Sequence, residues 1–331
     1  MREVTASAPG KVNLTLRCGA PADDGYHPLT TVFECVDLRE TVTVRTARTR
    51  GITVETIARH TDGTVDEQAT ERLRALPADQ HLAVRAAKAL QKLAAAGPWG
   101  RDAAGLAIEV DKRVPVAGGM AGGSADAAAA LVACNALWEL GLDLDQLQAV
   151  GRTLGADVPA CLVGGIALGT GRGDRMRSLM GDPGIDADPV AHNWVVLLAD
   201  EGLSTPAVFN HLDELGGPGR PGWSDLTAPT ADDVARLKGP ATAVARVLVN
   251  DLQEAAIDMR PEIGETLNAA TDAGAVAAIL SGSGPTIAAL ANDAAHAHRL
   301  AEVLTGIPHV RATIATDGPA QGARIEKTEA I

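Results

Sequence analysis

Pro115-Val116-Ala117-Gly118-Gly119-Met120-Ala121-Gly122-Gly123-Ser124-Ala125-Asp126, followed by four more alanines, is the stretch from which the rest of this chain can be read. Four glycines directly precede a strongly helix-forming run. Glycine admits positive φ and lets another group come close to the backbone. A helix start carries unpaired N–H groups and a partial positive charge. The combination predicts an anion cradle suited to phosphates, with the Ser124 hydroxyl placed for a phosphate or for Mg2+ carried on one. The plainer alternative is a tight turn with Ser124 as N-cap. Other phosphate loops are excluded by spacing. There is no GxxxxGK[ST], and these glycines do not form GxGxxG with an acidic residue about twenty positions later. The HRD and DFG signatures of protein kinases are also absent.

Upstream, Ala8-Pro9-Gly10-Lys11-Val12-Asn13 opens a segment that alternates polar and apolar residues through Arg17, the pattern of a half-buried strand. Lys11 is either a fixed cation in a cleft or an edge lysine guarding a strand. Downstream, Gly155-Ala156-Asp157-Val158-Pro159 offers Asp157 as a general base or as an ordinary turn aspartate. Ser281-Gly282-Ser283-Gly284-Pro285-Thr286 is a hairpin tip or a second backbone cradle. Gly25-Tyr26-His27-Pro28 contains the only tyrosine. Tyr26 beside His27 can hold a flat base by stacking and edge hydrogen bonds, or simply pack.

The chain has 331 residues, enough for two domains at roughly 150 residues each. Its formal net charge of -13 lacks the cationic footprint that nucleic acid or an anionic membrane surface requires. Neither an apolar leader nor a run long enough to span a membrane is present, so a cytoplasmic location is expected. The cysteines Cys18, Cys35, Cys134 and Cys161 are widely spaced and read as reduced core thiols. Strands are expected over Thr30–Val44, Gly105–Val110 and an apolar Cys161–Leu168. Helices are expected over His81–Ala96, Ser124–Leu140, and from an N-cap at Asp143 to Gly155. Arg59–Gln80 reads as a surface insertion and Gly181–His192 as an interdomain loop. Beyond it come a strand at Trp194–Ala199, a helix opened by Thr205 as N-cap, and a loop at Gly216–Gly222. Helices over Ala241–Met259, Pro261–Ala273 and Ala294–Leu304 then alternate with strands at Ala275–Leu280, Thr286–Leu290 and His309–Ala315. The second half thus suits a ferredoxin-like layer.

The ordered set PGKxN, a Gly-rich PxxxGGMAGGS entering a helix, GADVP and SGSGPT resembles the GHMP small-molecule kinases, over residues 6 to about 315. The stretch Gly25-Tyr-His-Pro-Leu-Thr-Thr-Val-Phe-Glu-Cys-Val-Asp-Leu-Arg-Glu40 narrows the resemblance to the branch acting on a cytidyl-diphospho-methylerythritol in isoprenoid biosynthesis. The resemblance implies an α+β, two-domain GHMP kinase fold. Residues 1–180 would be a ribosomal protein S5 domain 2-like domain, 192–317 a ferredoxin-like domain, and 318–331 a solvated tail. It implies ATP and Mg2+ as cofactors, with Pro115, Val116, Ala117, Gly118, Gly119, Met120, Ala121, Gly122, Gly123, Ser124 and Ala125 around the phosphates. Lys112, Asp126 and His81 would lie near the adenine. Asp126 and His81 stand where many relatives carry Asn.

On the same resemblance Asp157 takes the proton of the acceptor hydroxyl and Lys11 steadies the transferring phosphoryl. Asn13, Tyr26, His27, Phe209, Gly282 and Ser283 fall to the substrate, with Tyr26 and Phe209 across the cytosine from each other. No protein ligand for the metal is implied with certainty beyond Ser124. The expected assembly is a monomer or weak homodimer. The competing expectations are a GHMP kinase for another alcohol, such as homoserine or mevalonate, and a catalytically silent nucleotide-binding regulator.

Overall fold

The structure is a computed structural model, and it describes residues 2–100, 102–115, 119–181, 189–218 and 226–330. Val116, Ala117 and Gly118 of the Gly-rich stretch lie outside these residues, as do most of the expected interdomain loop and much of the Gly216–Gly222 loop.

The first half runs β1 (Arg2–Cys18), β2 (Leu29–Thr46), β3 (Gly51–Ala58), α1 (Glu67–Arg74), α2 (Leu82–Ala95), β4 (Gly105–Lys112), α3 (Gly122–Leu137), α4 (Leu144–Leu154), α5 (Val158–Val163), β5 (Ile166–Thr170) and β6 (Arg175–Ser178). The second half runs β7 (His192–Ala199), α6 (Thr205–Glu214), α7 (Ala231–Leu237), α8 (Ala241–Val244), β8 (Val249–Asn250), α9 (Gln253–Met259), α10 (Pro261–Asp272), β9 (Ala277–Leu280), β10 (Ile287–Ala291), α11 (Ala294–Leu304), β11 (Val310–Gly318) and β12 (Arg324–Ala330).

Two sheets organise the molecule. The larger has the order β12-β1-β2-β4-β3, with β5 and β6 continuing from β2 and β8 added beside β1. The smaller is antiparallel with order β11-β7-β10-β9. Numbered within itself that order is 4-1-3-2, the ferredoxin-like arrangement expected for the second half.

The helices follow from local chemistry. Helix α4 begins with a reciprocal capping box between Asp143 and Gln146. Helix α3 carries alanines round most of its circumference and is buried along almost its whole length against β1, β2 and α2. Small side chains let its backbone approach the sheet closely, and Leu131, Leu137 and Trp138 fill the remaining space. In β7, Trp194, Val196 and Leu198 face the larger sheet while Val195 and Leu197 face α6, α9, α10 and α11. Both faces of this strand are therefore buried, which explains its unbroken apolar run. The core of Val12, Leu14, Val32, Trp194, Val196 and Leu290 is shared between the sheets and fixes one against the other.

Four expectations are corrected. Residues 318–331 are not a solvated tail. Strand β12 pairs antiparallel with β1 from Arg2↔Ala330 to Ser7↔Arg324 and covers that edge of the larger sheet. Cys161–Leu168 is not one strand, because Pro159 opens the short helix α5, which stops at Gly164 before β5 begins. Ala241–Met259 is not one helix. It breaks into α8, β8 and α9, with Asn250 donating to the carbonyls of Leu280 and Gly282. Thr205 is the first residue of α6 and not its N-cap, which is Ser204. The expected surface insertion also contains a helix, α1, capped by Asp66. Among the described residues no helix is long and apolar enough to cross a membrane.

Candidate active site

Strand β1 shifts register against β2 between Pro9 and Gly10. Just after this irregularity, Lys11 and Asn13 share one face of the strand at the two-residue period. Both are buried. Lys11 Nζ donates to Asn13 Oδ1 at 2.8 Å and to the Gly119 carbonyl at 2.8 Å. It lies 5.3 Å from the centre of the Phe33 ring. Asn13 Nδ2 donates to Thr31 Oγ1 at 3.0 Å. Asp157 stands at the start of α5 but makes no capping hydrogen bond with its side chain. Its Oδ2 is 3.8 Å from Lys11 Nζ, and the carboxylate remains 36% exposed. An acid group held beside a buried ammonium and still open to a ligand can accept a proton from that ligand.

These groups line a cavity of about 700 Å³ between the two halves. Tyr26, His27 and Phe209 line another part of it. His27 stacks on Phe209 at 5.2 Å between ring centres and 26° between planes. The His27 ring is oriented by the Gly19 carbonyl at Nδ1 and by Asp213 at Nε2. Phe209 thus stacks against His27, whereas Tyr26 carries the Arg172 guanidinium 3.8 Å above its ring. Tyr26 is 57% exposed and is not a packing residue. Gly282 and Ser283 also line the cavity. Gly282 has φ +62, and a Cβ there would come 3.6 Å from Lys11 Nζ. Ser283 is held by Thr205 through a 2.7 Å hydroxyl contact.

Gly119 joins this cavity to a second one of about 380 Å³. Gly119 has φ +66, and a Cβ would meet the Ser281 carbonyl at 2.9 Å. Only glycine fits here, because the loop before α3 lies directly against the Ser281–Thr286 turn. Gly122 and Gly123 border the second cavity, and the first intrahelical bond of α3 is Ala125 N–H to the Ala121 carbonyl. The amides of Gly122, Gly123 and Ser124 are thus unpaired within the helix and available to an anion. Pro115 and Ala121 also border this cavity. Met120 and Ala125 do not: both side chains are fully buried, and the Met120 carbonyl accepts the Lys11 amide. Ser124 is half-buried and sits on the side toward Gly155.

The floor of the second cavity is a buried charge cluster. Lys112 Nζ donates to Glu40 Oε1 and to Asp126 Oδ2, each at 2.7 Å. Burial opposes the charge on Lys112, but Asp126 and Glu40 together outweigh it and raise its pKa. Burial pushes the Glu40 carboxyl up to about 8, against the pull of Lys112. Among the described residues Asp126 Oδ1 is buried without a hydrogen-bond partner, and it belongs to a residue bordering the cavity. His81 also borders it, yet both ring nitrogens are used. Nδ1 accepts the Ala83 amide as the N-cap of α2, so Nε2 carries the proton and donates to Thr56 Oγ1 at 3.1 Å. It therefore offers no free nitrogen to a base, and burial lowers its pKa.

Sequence reading missed Glu40, Arg152, Arg172 and Thr205. Glu40 had a signal: with Leu38, Val42 and Val44 buried on the two-residue period, position 40 points inward, and an inward charge needs a partner. Arg152, Arg172 and Thr205 have none, because they reach the cavity from separate elements.

Residues 81–165 match the GHMP kinases N terminal domain and residues 235–306 match the GHMP kinases C terminal domain. A 4-diphosphocytidyl-2-C-methyl-D-erythritol kinase of Cutibacterium acnes is 42% identical over 323 residues, covering 97% of this chain and 96% of that protein. A kinase of the same description from Kineococcus radiotolerans is 45% identical over 318 residues, 94% of this chain and 89% of the relative. A crystal structure of 4-(cytidine 5'-diphospho)-2C-methyl-D-erythritol kinase superposes with TM-score 0.70 at 29% identity, over 96% of this chain and 100% of that one. The L. major mevalonate kinase shares the fold at TM-score 0.70 and 16% identity, over 96% of each chain. With its motifs gathered round two adjoining cavities and relatives matching over nearly full length, the chain belongs to the GHMP kinase family, among the 4-diphosphocytidyl-2-C-methyl-D-erythritol kinases.

Proposed function

We propose that this chain transfers the γ-phosphoryl group of ATP to the 2-hydroxyl of 4-(cytidine 5'-diphospho)-2-C-methyl-D-erythritol, releasing ADP and the 2-phosphate for isoprenoid synthesis. The observation that carries the assignment of roles is the Lys11–Asp157 pair, 3.8 Å apart, in the cavity that also contains Tyr26, His27 and Phe209. Near-full-length likeness to kinases of that description supports the choice of acceptor.

Nucleotide phosphates rest on the amides of Gly122–Ser124, and the rest of the nucleotide extends toward Lys112 and Asp126. The cytosine sits among Tyr26, His27 and Phe209, which brings the methylerythritol toward Asn13, Lys11 and Asp157. Asp157 Oδ2 takes the hydroxyl proton while the acceptor oxygen bonds to the γ-phosphorus and the bond from that phosphorus to the β-bridging oxygen breaks. The transition state of such transfers is loose, so positioning and charge neutralisation dominate. Lys11 supplies a fixed ammonium whose desolvation is already offset by Asn13 and the Gly119 carbonyl.

Among the described residues no group of three or more His, Cys, Asp or Glu is arranged to hold a metal. The Glu40 and Asp126 carboxylates are tied to Lys112. Magnesium would be carried by the nucleotide phosphates, with the Ser124 hydroxyl as an added ligand.

The test is an ADP-release assay with Mg2+-ATP and four acceptors: the cytidyl-diphospho compound, free methylerythritol, homoserine and mevalonate. Turnover on the first alone is expected. Turnover on another acceptor instead, or none on any, contradicts the reading.

A further inference from the structure

The acceptor proposed above is a dianion in its middle. Its diphosphate joins a cytosine end to a methylerythritol end, so it must pass along the cavity wall between Tyr26–His27 and Lys11–Asp157. The cavity lining includes Asp157 and Asp174, which repel it. Among the described residues, the basic side chains lining the cavity besides His27 are Lys11, Arg152 and Arg172. Lys11 is occupied by Asn13, Gly119 and Asp157. Arg172 donates to Asp24 at 2.6 Å and lies over Tyr26. Arg152 is different. It projects from the last turn of α4, is exposed, and has no hydrogen-bond or ion-pair partner among the described residues. It also lines a neighbouring cavity of about 480 Å³ with Asp145, Gln148, Arg175 and Met176, so it stands between two open spaces.

We propose that Arg152 is a specificity residue that binds the diphosphate bridge of the acceptor, with Arg172 as a second contact already oriented by Asp24 and Tyr26. The proposal rests on the acceptor assignment above. Three features support it. A guanidinium presents a planar fork of donors matched to phosphate oxygens. An unpaired cation in the wall of a chain with net charge -13 lowers the barrier to an anion that the chain as a whole repels. Arg152 is in the helix that leads directly into the Gly155–Asp157 loop, so a contact there fixes the acceptor close to the base.

The decisive variants are Arg152→Gln and Arg152→Lys, since changing Arg172 would also disturb Tyr26. The side chain is exposed and has no partner among the described residues, so folding should be unaffected, which a melting curve checks. With the natural acceptor, Arg152→Gln should raise KM about 10- to 100-fold, the usual weight of a hydrogen bond to a charged group, and leave kcat nearly unchanged. Arg152→Lys should fall between. An acceptor analogue with an uncharged linker of equal length should show no difference between parent and variant. Direct titration gives a second readout: the parent should bind CDP more tightly than cytidine, and Arg152→Gln should remove most of that preference. An unchanged KM with an unchanged CDP preference overturns the proposal, as does an equal KM rise on the uncharged analogue. Failure of the acceptor assignment reads differently: the parent itself would neither turn over the natural acceptor nor prefer CDP to cytidine, and the role of Arg152 would fall with it.

Discussion

Lys112→Met places a side chain of similar length where one ammonium now serves two buried carboxylates. In the parent, Lys112, Glu40 and Asp126 are all nearly inaccessible, and both Lys112 contacts are 2.7 Å. Removing the cation leaves uncompensated buried charge, which costs about 3–5 kcal/mol when one partner of such a set is lost. Glu40 is already pushed up to about 8 from an ordinary 4.5, and without Lys112 it rises further. A carboxyl whose folded pKa is raised contributes stability that is present below its unfolded pKa and lost as pH rises toward the folded one. Up to about pH 8 Glu40 holds its proton in the folded parent and the folded variant alike, so the deficit at pH 8 should be set by the orphaned Asp126 and should widen by about pH 9. Urea unfolding at both pH values reads this directly. At pH 8 the midpoint should fall by about 1–2 M, given a urea slope of a few kcal/mol per molar. A charge-neutral triple variant, Lys112→Met with Glu40→Gln and Asp126→Asn, should recover much of the loss because no orphaned charge remains. A deficit below about 1 kcal/mol at pH 8, an equal deficit at both pH values, or a triple variant worse than the single one would refute the argument.

Further outcomes follow from other contacts. Gly119→Ala would set a Cβ 2.9 Å from the Ser281 carbonyl at a backbone φ of +66, so the loop should shift away from Lys11 and kcat/KM should fall at least tenfold. Steady-state kinetics check this, and a fully active variant would contradict the close approach. His192 is buried with Nδ1 2.8 Å from Glu34 and Nε2 2.8 Å from the Gly239 carbonyl. Burial opposes its charge, but Glu34 and Gly239 outweigh it and raise its pKa. That contribution to stability is present below the unfolded value near 6.5 and lost as pH rises through the folded one, so the parent's melting temperature should drop over this window more than that of His192→Gln. Parallel curves would refute it. Deleting residues 324–331 uncovers the β1 edge, and light scattering should then show more self-association than the intact chain does at the same concentration.

Much of the fold was legible because its signals are local. The alternation in Val12–Arg17, the capping box at Asp143 and the apolar run of β7 each depend on a few neighbouring residues. The misreadings arose where distant contacts decide. β12 looks like a polar tail, yet its backbone pairs with β1, more than three hundred positions away, and pairing needs no apolar side chains. Ala241–Met259 has the composition of a helix, but Asn250 is drawn to carbonyls of the Ser281 turn and breaks it. Within the site, the Gly-rich loop stands out by residue type, whereas Lys11 and Asp157 taken singly leave their roles open and gain them from the order of the motifs that carries the resemblance. The resemblance puts His81 near the adenine, and the hydrogen bonds that engage both of its ring nitrogens, to Thr56 and the Ala83 amide, are visible only in the structure. Glu40 signals only an inward charge in need of a partner, and that partner, Lys112, emerges, like the place of Arg152 in the cavity lining, when strand, helix and loop are brought together.

The central claim is that Asp157, beside Lys11, accepts the acceptor's proton during transfer from ATP. Single-turnover measurement of phosphoryl transfer with Asp157→Asn, at saturating ATP and acceptor, tests it most directly. The account predicts a rate lowered by roughly 10²- to 10⁴-fold with nucleotide and acceptor affinities close to those of the parent. A variant that transfers at the parental rate would contradict it.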